Sequence, residues 1–410
     1  MGVLDKKKVI ATFVALFIWL CSGSVFQTVY ESVFQKIIVI AFFFLVVYEY
    51  KVKGPMVRRD VCSLFMAALI VSSCADIIIW NEPSQILLYI ANIGVFYLCI
   101  KITERYEYRQ FVDVFLNIMM IGGIISLIGW KLTPQIINSG LGLSLGKYMH
   151  YRTLGVFNII ESAPKRNTGF FWEPGMYQEF LNLGILLIIQ KEKKQISDIL
   201  KIAVFAICVL TTYSTTGYIV LCCLAALAIY KAAYTNFKSV ANVFAIAFLV
   251  LFFAFGGVQI ILNAAMLFFP KEVVLKLQIQ DVSYTTRIYS VITDLRLSLS
   301  NPFGISRTQS STIIGEYAKS MGYNIDARTS ALSTAFVYHG IFAGILYCVA
   351  WIKGIFLVTR KDVIMFLFTL IIMFLMLNSE PMFYHMFFSC IMIYWARQNK
   401  LRCQAGEEKK

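Results

Sequence analysis

Long apolar runs separated by short polar breaks dominate the chain, and runs of about 20 apolar residues match a bilayer crossed as a helix. The pattern predicts twelve membrane helices, at about 9–25, 36–50, 61–80, 86–101, 111–130, 175–190, 199–213, 217–231, 239–257, 335–352, 363–379 and 384–397. Only STTG, Ser214 to Gly217, divides the seventh from the eighth, so a single re-entrant pair is the alternative there. The first run, VIATFVALFIWL, follows Lys6, Lys7 and Lys8. It lacks a convincing small-residue cleavage site and more spans follow, so it reads as a retained first helix.

Two stretches break the rhythm. Residues 131–174 and 258–334 are far longer than the other connections, and structureless loops of that length are rare unless functional. With the N-terminus in the cytoplasm, 24 of the 37 Lys and Arg residues fall in inner segments, and the short outer loops hold only Lys36. Basic residues favour cytoplasmic loops, so this orientation is expected, with both termini inside and both long loops outside. The remaining twelve basic residues lie in the two long loops, which do not have to obey that rule.

Composition agrees: 59% of the 410 residues are hydrophobic and 15% charged, more apolar surface than a soluble domain of this size can hide. The net charge of +14 is mostly a topology signal, and its basic residues are not gathered on a soluble domain. A nucleic-acid partner is therefore not expected. None of the ten cysteines lies in a long loop and no CxxC occurs, which argues against a disulfide scaffold. No two of His150, His339 and His385 share a helical turn, and no D-x-D pair occurs in the outer loops, so no metal or other cofactor is expected. With no repeat, no central linker and no room for a cytoplasmic catalytic domain, the chain reads as one membrane domain.

Candidate chemistry concentrates in the long loops. KRNTGFFWEPGMYQEF, Lys165 to Phe180, places Arg166, Trp172 and Glu173 directly before the sixth helix, with Pro174 suited to its first turn. Guanidinium groups bind phosphate with paired hydrogen bonds. Glu173 reads either as a carboxylate complementing the helix dipole or as a base or substrate anchor at the membrane surface. In the second loop, VQIILNAAMLFFPKEVVLKLQ suits apolar helical pieces lying along the membrane surface, broken at Pro270. RIYSVITDLRLSLS follows, with Ile288, Val291, Ile292, Leu295 and Leu299 on one helical face and Arg287 at its start, off that face. NPFGIS ends that helix. Residues 305–330 read as a polar, mobile stretch carrying Arg307, Lys319 and Arg328. His339 stands where SALSTAFVYHGIFAGILY enters the tenth helix. Asp76 and Glu380 are weaker candidates near the outer surface.

Taken together, RNTGFFWEPG, TYSTTG, Arg287 followed by NPFGIS, and TSALSTAFVYHG resemble, in order and placement over about 165–345, the bacterial O-antigen polymerase and O-antigen ligase superfamily (the Wzy and WaaL proteins). The resemblance implies an all-α polytopic membrane protein, GT-C-like, with two long extracytoplasmic loops, in the bacterial inner membrane. It implies a glycosyltransferase that joins undecaprenyl-diphosphate-linked oligosaccharides, donor and acceptor, at the outer face, with a chain-length regulator as a further partner. Arg166 and Arg287 match the family arginines that engage the lipid diphosphate, and Arg307, Arg328 and His339 are further substrate-binding candidates. Fixed arginines stabilise charge growing on a departing diphosphate. Glu173 is the candidate base for the acceptor hydroxyl. Ligases carry a histidine where this chain has Thr329 and Ser330, so polymerase is favoured over ligase. A flippase or transporter of lipid-linked sugars is the alternative outside this superfamily.

Overall fold

The computed structural model of the protein describes residues 6–52, 60–146, 149–191, 194–236, 282–320, 330–360 and 362–407, with side chains at 6–11, 52, 235–236, 282–288 and 398–407 outside that description. The first half runs α1 (Lys6–Leu20), α2 (Val25–Val29), α3 (Glu31–Val52), α4 (Val61–Ile79), α5 (Ile86–Arg105), α6 (Tyr108–Lys131) and α7 (Thr133–Ser139). Strands β1 (Leu143–Gly146), β2 (His150–Thr153) and β3 (Asn158–Ile160) follow, then α8 (Pro174–Gln190), α9 (Ile196–Thr211) and α10 (Thr215–Asn236). The last part comprises α11 (Val282–Ser300), α12 (Ser310–Ser320), α13 (Ala331–Val358), α14 (Val363–Leu377) and α15 (Met386–Glu407).

Each of the expected helices except the ninth, 239–257, which lies outside the described residues, has a counterpart. Six helical segments are long and apolar enough to cross a membrane: Glu31–Lys51, Val61–Ile79, Pro83–Arg105, Tyr108–Lys131, Thr215–Tyr234 and Ala331–Val358. Their outer faces leave side chains such as Phe44, Ile78, Ile121 and Phe342 more than half exposed, which suits lipid rather than water. Caps set several starts. Asp60 accepts from the Ser63 N–H, Asp362 from Met365 and Ser330 from Ser333. Pro174 sits in the first turn of α8.

Helix α8 is the axis of the bundle, with every residue from Pro174 to Ile189 buried. The connections sort to two opposite ends. One end gathers charges: Arg397 meets Asp60 and Glu104, Lys101 meets Glu49, and Lys191 meets Asp113 and Asp198. The other end holds residues 131–173, the α9–α10 turn, the start of α13 and the α14–α15 loop.

The segment 131–174 carries regular structure: α7 is followed by a three-stranded antiparallel sheet in the order β1-β2-β3, and Phe157 fills the hollow left by Gly129 of α6. One expectation needs correction. Residues 310–320 form α12 instead of a mobile stretch. The expected helix over 287–300 lies within α11, and among its described side chains the buried ones are Ser290, Thr293, Asp294, Leu297 and Ser298, while Ile292, Leu295 and Leu299 point outward.

Candidate functional site

Two of the sequence landmarks meet at the end of α9. Asn167 is fully buried, its N–H donates to Thr211 O at 3.0 Å, and its amide donates to the Thr211 hydroxyl at 2.9 Å. Next to it, Arg166 Nε donates to Thr212 O at 3.1 Å. The chain then turns through Gly169, at φ +55, where any Cβ would press on the Tyr177 ring. RNTG and TYSTTG are thus one unit, with the arginine tied to the α9–α10 turn. The break between α9 and α10 is Thr212–Ser214, and Thr215 to Gly217 already belong to α10.

Glu173 occupies the N-cap position of α8, yet its side chain makes no cap hydrogen bond. The carboxylate is half-buried, and after burial itself it helps push the nearby Tyr151 phenol up to about 12. Two residues on, in the first turn of α8, Gly175 gives Glu380 room: a Cβ there would collide with the Glu380 carboxylate. Deeper still, fully buried Glu179 accepts hydrogen bonds from Gln178 Nε2 at 2.6 Å and from the Ser379 hydroxyl. The α14–α15 loop therefore sits directly on the start of α8.

The same loop reaches the third landmark through Tyr384, whose hydroxyl lies 2.6 Å from His339 Nε2. His339 belongs to a break in α13. Gly340 has φ +76 and ψ +176, outside helical geometry, and frees hydrogen-bonding groups on both sides. NPFGIS fills the gap: Ile341 N–H donates to Pro302 O at 3.1 Å, and Ile305 N–H donates to Val337 O at 3.0 Å. Broken helices of this kind occur in membranes where irregular backbone finds partners in the protein. The insertion brings Arg307 to His339, with Nη2 3.2 Å from Nε2 and the guanidinium carbon 3.8 Å from the Tyr338 ring centre. An arginine only donates, so the imidazole nitrogen facing it accepts, and Nδ1 carries the proton toward the Ser72 hydroxyl 3.3 Å away.

Glu82, which sequence reasoning missed, holds the Arg307 loop in place. Its carboxylate accepts from the hydroxyls of Ser306 and Thr308 and from the N–H groups of Arg307 and Thr308, both at 3.2 Å. Burial pushes its carboxyl up, but these hydrogen bonds outweigh burial and hold it below the ordinary value. Stability from such a group is complete above the unfolded value, about 4.3, and is lost as pH falls through the lowered folded value. Amide exchange at Arg307 and Thr308, referenced to α8, is expected to stay slow down to about pH 4 and to quicken below it. Glu82→Gln should give fast exchange throughout. A loop equally protected in that variant would rule out the clasp.

Of the residues singled out in the sequence, Arg166 joins the α9–α10 turn, Glu173 joins the α8 start, and Arg307 and His339 join each other. The Arg287 side chain and Arg328 lie outside the described residues. Asp76 is fully buried on α4, with Arg307 among its charged neighbours. Among the described residues, no cluster of three His, Cys, Asp or Glu fit for a metal occurs. No family model matches the chain, and comparisons with curated proteins and with solved structures give no match.

Proposed function

We propose that the protein is a membrane glycosyltransferase that polymerises a surface polysaccharide from undecaprenyl-diphosphate-linked repeat units, with O-antigen polymerase as the type. In this reading twelve spans form a GT-C-like bundle in the bacterial inner membrane, and the end that carries Arg166 and Arg307 faces outward. The supporting observation is the convergence of separate landmarks at one end of the bundle. RNTG grips TYSTTG, the α14–α15 loop bridges the start of α8 to His339, and NPFGIS seats Arg307 in the break of α13.

The chemistry follows from the residue types. A diphosphate gains negative charge as it leaves the sugar C1, and preorganised guanidinium groups stabilise that charge in the transition state. Arg307 is held for this by Glu82 and Tyr338, and Arg166 and Arg287 supply further positive charge. Glu173, half-buried at the start of α8, takes the proton of the attacking acceptor hydroxyl. His339 orients Arg307 and Tyr384.

The test is deletion of the gene followed by gel analysis of surface glycan. Loss of the length ladder with single repeats retained is the expected result. Loss of all glycan from the lipid anchor would mean ligase. A second reading, a transporter of lipid-linked sugars, is favoured by buried Glu179 on the central helix, since intramembrane acids often mark transport paths. It predicts lipid-linked repeats trapped on the cytoplasmic side in the deletion strain.

A further inference from the structure

Tyr213 follows the last turn of α9 and has φ +51, in the left-handed region that strains any residue with a Cβ. Helix ends commonly use glycine, or sometimes asparagine, at this place. Of the other described non-glycine residues with positive φ, Asn81 is of the type that tolerates the conformation, and Arg360 follows α13 at the opposite end of the bundle. Strain kept at a position where a smaller residue would remove it points to a use for the side chain.

Its neighbours indicate the use. Arg166 Nε donates to Thr212 O, the residue directly before it, so the guanidinium and the phenol belong to the same turn. Tyr218 lies beside both Tyr213 and Arg166. The hydroxyls of Thr212 and Ser214 are engaged within the turn itself, by Val209 O and by the N–H groups of Ser214 and Gly217. The Tyr213 ring is half-buried, packed on the core along part of its surface and accessible along the rest.

We propose that Tyr213 is a sugar platform: its ring receives the C–H face of a pyranose of the lipid-linked glycan, and Arg166 holds the oxygens flanking that sugar. The inference rests on the reading of this end of the protein as a lipid-linked glycan site. Aromatic faces give sugars apolar contact area at little entropic cost, while a guanidinium supplies directed donors.

Strain and binding predict opposite signs, which makes the test sharp. Tyr213→Asn and Tyr213→Phe are purified and assayed with lipid-linked repeat units extracted from the deletion strain. Tyr213→Asn should raise the thermal midpoint, because asparagine accepts the left-handed conformation, and should raise KM for the repeat unit about five- to tenfold with kcat little changed. Tyr213→Phe should keep the wild-type midpoint and KM, since it keeps both the strain and the ring. A more stable Tyr213→Asn with unchanged KM makes Tyr213 a turn residue alone. A less stable one makes it a packing residue, and either outcome overturns the proposal. Failure of the wild-type protein to join repeat units is a separate result, read in its own arm, and removes the functional reading together with this inference.

Discussion

Gly340→Ala is expected to expel the NPFGIS loop from the break in α13 and to leave the protein both less stable and inactive. The backbone at Gly340, φ +76 and ψ +176, lies in a region that is essentially glycine's alone. A methyl group there also collides with the carbonyl of Pro302, and the carbon atoms of Pro302 and Phe303 crowd it at 2.6 and 2.7 Å. Conformational strain costs about 1–3 kcal/mol, and forcing an atom into a filled space adds about 1–3 kcal/mol. Against a total stability of about 5–15 kcal/mol, the sum is large. Relief comes most readily by moving the loop, because Ile341 and Val337 can then close the helix with their own hydrogen bonds. The loop carries Arg307, so a continuous α13 separates Arg307 from His339. Proteolysis at 301–309 and the thermal midpoint in detergent are the measurements. An unchanged midpoint with an uncut loop would show that the break tolerates a side chain and that the junction is not rigid.

The helices were legible because apolar runs long enough to span a bilayer leave little choice of structure. Even the narrow division marks a real turn, displaced to Thr212–Ser214, with Ser214 accepting from Gly217 N–H at the start of α10. The amphipathic spacing of α11 was legible, but not which face packs inward: Ile292, Leu295 and Leu299 are exposed, while Ser290, Thr293 and Asp294 are buried. The pairing of landmarks was not readable at all. Nothing in the spacing of NPFGIS and VYHG says that one fills a gap in the other, since the gap exists only once Gly340 leaves the helix. Glu82 was passed over because an acid before a proline in a short loop reads as an ordinary turn residue. Its role depends on Ser306 and Thr308, more than two hundred residues away. A signal for the buried polar axis was present in Gln178, Glu179 and Asn182, three polar residues that interrupt an apolar run and all prove buried.

The second large effect is expected from Arg307→Lys, which should lower turnover by about 10²–10³ with protein level unchanged. The guanidinium carbon lies 3.8 Å from the Tyr338 ring centre with one nitrogen 3.2 Å from His339, an arrangement that suits a planar group with several donors. A lysine ammonium keeps the charge but presents neither the plane nor the paired donors. The backbone of residue 307 stays held by Glu82, so the loop should keep its place and its protection from proteolysis. That separates lost chemistry from lost structure. Glu173→Gln belongs in the same assay. If the Glu173 carboxylate serves as the base, turnover falls by about 10²–10⁴ and the loss does not recover at higher acceptor concentration. If it only complements the dipole of α8, the change costs under about 1 kcal/mol and turnover is near normal. Loss in both variants, each with a fully folded protein, places donor and acceptor chemistry at the same end of the bundle. Near-normal turnover in Arg307→Lys would take the Arg307–His339 pair out of the proposed reaction and leave Arg166 and Arg287 as the arginines of the proposed diphosphate site.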